Sequence, residues 1–86
     1  MEIKVFARSN KNQEETTKLK NWLEENKIPF LYIDLDQNSE FFDYVVNKLR
    51  FNDVPVIDIG GLISFSGYSK NMLESNKKLM IKLTSQ

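Results

Sequence analysis

The sequence predicts an α/β domain of order β-α-β-α-β-β-α, a four-stranded mixed sheet with helices on both faces. Three observations carry that reading. Two β-rich runs near the start are separated by a segment with helical spacing. A proline-led apolar run, Val54-Pro55-Val56-Ile57-Asp58-Ile59, follows a second helical segment. Gly60-Gly61 then joins that run to Leu62-Ile63-Ser64-Phe65-Ser66, a hairpin signature. Strands joined through a helix pair in parallel by a right-handed crossover. Strands joined by a tight turn pair antiparallel.

The elements follow in order. Residues 2–6 are rich in β-formers and read as the first strand. Arg8-Ser9-Asn10-Lys11 is a polar loop. The first helix starts at Asn10 or Asn12, since Gln13 and Glu15 stand three residues beyond them and either pair fits a capping box. Thr16, Leu19, Trp22 and Leu23 form its buried stripe, and Glu24-Glu25-Asn26-Lys27 ends it. Phe30 to Leu35 is a nearly continuous apolar run, as expected of a strand covered on both faces. Ser39 is the expected cap of the second helix, whose apolar face is Phe41, Phe42, Val45, Val46 and Leu49. Arg50-Phe51-Asn52-Asp53 breaks it. Gly67 allows a sharp turn after the last strand, and Ser69 caps a final helix buried through Met72, Leu73, Leu79, Met80 and Leu83.

Composition narrows the function. At 86 residues the chain is expected to form one domain, 1–86, with one modest core. It has no Cys and no His, so no disulfide and no Cys/His zinc site can staple it. Packing of the apolar 41%, with six Phe, three Tyr and one Trp, must hold it together. With 12 basic and 12 acidic side chains there is no basic excess of the kind nucleic-acid binders show. Lys77, Lys78 and Lys82 read as a solvated helix face. No apolar stretch approaches the ~18 residues of a membrane span, and the opening Met-Glu-Ile-Lys-Val is a strand rather than a signal peptide. A cytoplasmic protein with neither nucleic-acid nor membrane partners is expected. The spacing of Asp34, Asp36, Asp53 and Asp58 fits no calcium loop, so no metal or other cofactor is expected.

Several local motifs resemble the thioredoxin-like fold in its glutaredoxin branch, and in particular the NrdH-redoxin group. Ile3 to Arg8 resembles the first strand and its exit. Val54-Pro55-Val56 resembles the proline segment, and Ser64-Phe65-Ser66-Gly67-Tyr68 the Ser-Gly-aromatic segment before the last helix. On this likeness Lys11 and Glu14 fall where the family carries the two cysteines of its Cys-x-x-Cys, with Asn12-Gln13 between them. The resemblance implies thiol–disulfide exchange, a cis bond before Pro55, and a client strand paired with the exposed backbone of Val54. It also implies partners such as a reductase or a ribonucleotide reductase.

The departure bears directly on chemistry. Exchange needs a thiolate, and a helix N-terminus ordinarily helps to form one. Here Lys11 and Glu14 read instead as a solvated ion pair at a helix start. Ser9 has no His to act as its base, and Lys11 stands in a wet, polar segment ill suited to a catalytic amine. Ser69-Lys70 stands where glutathione-binding relatives carry an acidic residue, which argues against a glutathione site. The expectation is a non-enzymatic, redox-inactive family member. It would bind another protein through a groove formed by Ser9, Asn10, Lys11, Asn12, Val54, Pro55, Ser66, Gly67 and Tyr68. Three alternatives stay open: an oxidoreductase assigned by homology, an enzyme of another class using Lys11 or a carboxylate as acid/base, and a module that self-associates through the Leu62–Ser66 edge.

Overall fold

The protein is described by a computed structural model over residues 2–85. Its strands are β1 (Ile3–Ala7), β2 (Leu31–Asp34), β3 (Val56–Ile59) and β4 (Ile63–Ser66). Its helices are α1 (Gln13–Glu25), α2 (Ser39–Asp43), α3 (Lys70–Ser75) and α4 (Lys77–Thr84). The sheet order is β2-β1-β3-β4, with β1 and β2 parallel and the other neighbours antiparallel. This is the mixed sheet the sequence predicts.

Alternation along the strands makes two cores. Ile3 and Val5 of β1 and Ile57 and Ile59 of β3 join Leu19, Trp22 and Leu23 of α1, Leu73 of α3 and Met80 of α4. The neighbouring Phe6 and Val56 point the other way and meet Ile33, Leu35, Val45 and Val54, with Phe41, Tyr44 and Leu49 packed against them. The helices are thereby divided between the two faces. Asp58 also lies on the second face by alternation, and its Oδ1 accepts the Gly61 N–H at 3.2 Å, tying down the hairpin. Burial pushes the pKa of the Tyr44 phenol up, and the charge of Asp58 adds to the shift.

α1 closes as its sequence suggests. Lys27 takes a left-handed φ of 57°, the Ile28 N–H returns to the Leu23 carbonyl, and that of Lys27 to Glu24. These two bonds form a Schellman closure. Gly60 and Gly61 both have positive φ, as a primed hairpin turn requires, and Leu62 N–H closes the turn onto Ile59.

Four local expectations are corrected. β2 is not covered on both faces: it is an edge strand, and Leu31 and Tyr32 are exposed. The second helix is short and runs into a π turn, Tyr44–Lys48, in which the Leu49 N–H reaches back to Tyr44; Phe42 is left exposed. Its N-cap is Asn38 rather than Ser39, and the Asn38 carboxamide donates to the Asp34 carbonyl instead of capping. The final helix is broken at Asn76, whose side chain donates to the Met72 carbonyl and terminates α3. Met72 is therefore exposed, while Leu73 is fully buried. Ser69 does cap α3, accepting the Met72 N–H at 3.3 Å.

Candidate functional site

Strand direction assembles the site. The register pairs Phe6 with Val56, Val56 with Ser66, and Ala7 with Asp34. The chain leaving β1, entering β3, and leaving β4 and β2 therefore meets at one end of the sheet. The segments Arg8–Asn12, Asp53–Pro55, Ser66–Tyr68 and Asp34–Asp36 all lie there.

The N-terminus of α1 opens on this end. Arg8 to Lys11 makes a tight turn, with the Lys11 N–H on the Arg8 carbonyl at 3.5 Å. Asn12 then adopts a left-handed φ of 52° at the N-cap position. The start at Asn12 is one of the two expected, but the capping box is not made: no side-chain cap bond forms at the N-cap. The Asn12 carboxamide turns away from the helix. Its Nδ2 donates to the Val54 carbonyl at 2.7 Å and to Asp53 Oδ1 at 3.1 Å. Asn tolerates the left-handed region better than most residues, which fits it to this turn.

Asp53, in the segment that breaks the second helix, is the hub of this corner. Its Oδ1 accepts from Asn12, lies 3.4 Å from Lys11 Nζ, and takes the Val54 N–H at 3.3 Å. The expected pairing of Lys11 with Glu14 is not made. Lys11 turns to Asp53, and Glu14 pairs along the helix with Lys18 at 3.6 Å. The reason is the helix boundary: Lys11 lies before the first helical residue, so it is not on a shared face with Glu14. The Lys11 side chain is 50% exposed and ion-paired, which removes the desolvation a catalytic amine would need.

The Val54–Pro55 peptide bond is cis. The Val54 backbone was expected to be free for a partner; instead both of its polar groups are taken by the chain's own side chains, and Val54 itself is buried. The Pro55 carbonyl accepts the Gly67 N–H at 2.7 Å. Gly67 has φ 81°, and a Cβ there would come within 3.3 Å of Glu15 Oε2. This turn therefore favours glycine twice over, by conformation and by the Glu15 side chain beside it. Tyr68 is half-buried and packs on the first core rather than standing free.

Ser9 and Asn10 lie on the other side of Lys11. Ser9 Oγ donates to Asp34 at 3.1 Å, and its N–H to Asp36 at 3.3 Å. Arg8 forms a close ion pair with Asp36 at 2.9 Å and lies over the ring of Phe42. Asn10 is exposed and shares a shallow polar depression with Arg8, Lys11 and Asp36. A narrow slot of about 50 Å³ beside Lys11 is lined by Phe42, Val46, Phe51 and Val54 among others. Of the nine groove residues expected from sequence, Lys11, Asn12 and Val54 are directly connected through Asp53, and Pro55 is joined to Gly67. Ser9 is held instead toward β2. Asp53, Arg8, Asp36, Glu15 and Phe42 were missed; only Asp53, directly ahead of Val54-Pro55, had a position in the sequence that could have marked it.

Comparison with known proteins settles the lineage. The glutaredoxin family model matches residues 11–63, more than half of the chain. The chain belongs to the glutaredoxin family. Two solved structures show the same fold. One is the glutaredoxin-like NrdH-redoxin from Escherichia coli, with a TM-score of 0.74 at 23% identity over 87% of this chain and 93% of that one. The other is a mutant of the thioredoxin-like protein BC3987, with a TM-score of 0.79 at 16% identity over 90% of this chain and 95% of that one. At such identities these two establish the thioredoxin-like fold alone. A search of curated protein sequences finds no match. No helix among the described residues is long and apolar enough to cross a membrane. What sets this glutaredoxin-family chain apart is elemental: it contains no cysteine, and so no thiol to exchange.

Proposed function

We propose that this chain is a redox-inactive member of its family, not an enzyme, that acts by non-covalent binding of another protein at the former thiol corner. The observation that carries the reading is a preserved corner without its sulfur. The exit of β1, the cis Val54–Pro55 bond and the Gly67 turn all stand together, and the chain has no cysteine. On the resemblance, Lys11 and Glu14 stand where the thiol pair would be. Strand addition to a backbone edge requires no thiol. The partner surface is Asn10, Lys11 and Ser66, which are exposed, with the backbone of Val54 and Gly67 behind them. On the resemblance, a reductase or a ribonucleotide reductase is the first partner to try.

The test is affinity capture from the source cell with the wild-type chain and with Asn10→Arg and Ser66→Arg. Both positions are exposed, so the fold should survive the change. Val54→Asp would be a poor probe, because it buries a charge in the second core. A specific partner should bind at least tenfold more weakly to the variants. Retention of every specific partner by both would remove the proposed surface.

A second reading has one observation behind it. Leu62 and Ile63 at the β4 edge are 61% and 36% exposed, although Phe65 is buried. An exposed apolar edge favours self-association. A sizing column run over a hundredfold concentration range would reveal it as a shift toward a dimer; a constant monomer elution would exclude it.

A further inference from the structure

The backbone that would receive a partner strand is already occupied by the chain's own side chains. The Val54 carbonyl accepts from Asn12 Nδ2 at 2.7 Å, the shortest bond at this end of the sheet apart from the Gly67–Pro55 link of equal length. The donor is a carboxamide N–H, chemically the same group as the peptide N–H of an incoming strand. The Val54 N–H is matched in turn by the Asp53 carboxylate at 3.3 Å, an oxygen acceptor where a strand would offer a carbonyl. Asp53 also holds Asn12 and Lys11 in place. One donor and one acceptor, both supplied in cis, thus satisfy the two groups an extended peptide would use.

We infer that Asn12 is an internal stand-in for the partner's peptide amide, a latch that must swing away from Val54 before an extended segment can pair there. This rests on the docking role proposed above. The latch is built to open. Asn12 is exposed, Asp53 and the Lys11 side chain are at least half exposed, and the Lys11–Asp53 separation of 3.4 Å is that of a loose surface pair. Opening releases the Asn12 bonds to Val54 and Asp53 and the Asp53–Val54 contact. An incoming strand replaces the two at Val54 and water takes up the exposed Asp53 carboxylate, so the net penalty on binding is small. The partner class that fits is an extended polypeptide presenting an N–H and a C=O in strand geometry.

Two measurements test it. The first reads the latch itself in the ¹⁵N-labelled wild-type chain. The Asn12 side-chain amide protons should exchange with solvent about threefold to tenfold more slowly than those of exposed Asn10, as one net hydrogen bond requires. Equal rates would show that no latch holds in solution.

The second reads the gate. Lys11→Cys/Glu14→Cys places two thiols in this scaffold, and Asn12→Gly is then added. Glycine keeps the left-handed φ and loses only the carboxamide. The probes are 2-hydroxyethyl disulfide and the disulfide-linked dimer of acetyl-Ala-Ala-Cys-Ala-Ala-amide. In each reaction one protein thiolate attacks a probe sulfur and one thiolate leaves with the bonding pair. The second protein thiol then resolves the mixed disulfide, releasing the other half as a thiol and leaving the protein oxidised. Asn12→Gly should raise the ratio of the peptide-probe rate to the small-probe rate about threefold to tenfold, the small probe reporting whatever the change does to the thiols themselves. Asn12→Asp, which cannot donate to Val54 and repels Asp53, should act in the same direction. An unchanged ratio of the two rates with and without the carboxamide would overturn the latch as a gate. A peptide probe reduced no faster than the small one in any variant would remove the docking role itself, while Asn12 amide exchange would still report whether the latch exists.

Discussion

At its C-terminal end α1 buries Leu19, Trp22 and Leu23 in the larger core, donates the Trp22 indole N–H to Glu74, and finishes in two backbone bonds around Lys27. At its N-terminal end Gln13, Glu14 and Glu15 are exposed, and apart from the buried Thr16 the contacts described there are polar ones from Lys11 and Asn12 to Asp53 and Val54. One end is fixed by apolar area, which tolerates little change. The other is fixed by a few replaceable hydrogen bonds, each of modest net worth. A helix anchored this way can change the residues at its mouth without losing the fold. The same contrast explains why the family is evident from the scaffold while its usual reactive residues are gone.

The contrast can be broken by substitution. Leu23→Ala, at a fully buried position, should cost about 2–5 kcal/mol. In urea denaturation that is a large loss of midpoint for so small a domain; a cost under about 1 kcal/mol would mean that the C-terminal end is not the anchor. Asn12→Gly should cost far less, about 0.5–1 kcal/mol, with an unchanged denaturant slope. A cost comparable to that of Leu23→Ala would make the polar end structural and erase the distinction. Lys18→Ala, which removes the exposed pair with Glu14, should change stability by less than about 0.5 kcal/mol. A larger effect would show that the helix mouth is held by more than the Asp53 contacts.

The legibility of the molecule follows the same division. The order of elements along the chain, the parallel β1–β2 pair, both hairpin strands, the α1 stripe and the Ser69 cap follow from periodicity, connection type and turn residues, which are local signals, whereas the β1–β3 pairing has no such signal. The apolar run Phe30–Leu35 misled, since its pattern records hydrophobicity but not position at a sheet edge. The break at Asn76 was hidden because Asn is tolerated within a helix until its side chain competes for a backbone carbonyl, as it does at Met72. At the site, Lys11, Asn12, Val54 and Pro55 were placed by motif alone. Their partner Asp53 was not, because a contact spanning 41 residues, as between Asn12 and Asp53, leaves no trace in local spacing. Lys11 pairs with Asp53 rather than Glu14 because the helix starts at Asn12 and not two residues earlier at Asn10, which leaves Lys11 off the helical face of Glu14.

The central claim is that a thiol corner survives in shape and has lost its chemistry. Insulin-disulfide reduction with dithiothreitol as the electron source, followed by turbidity for the purified wild-type chain beside Lys11→Cys/Glu14→Cys and a dithiothreitol-only blank, tests it most directly. The account predicts no rate above the blank for the wild type and measurable reduction by the double-cysteine variant. A wild-type chain that reduces insulin, or a folded double-cysteine variant that does not, would contradict it.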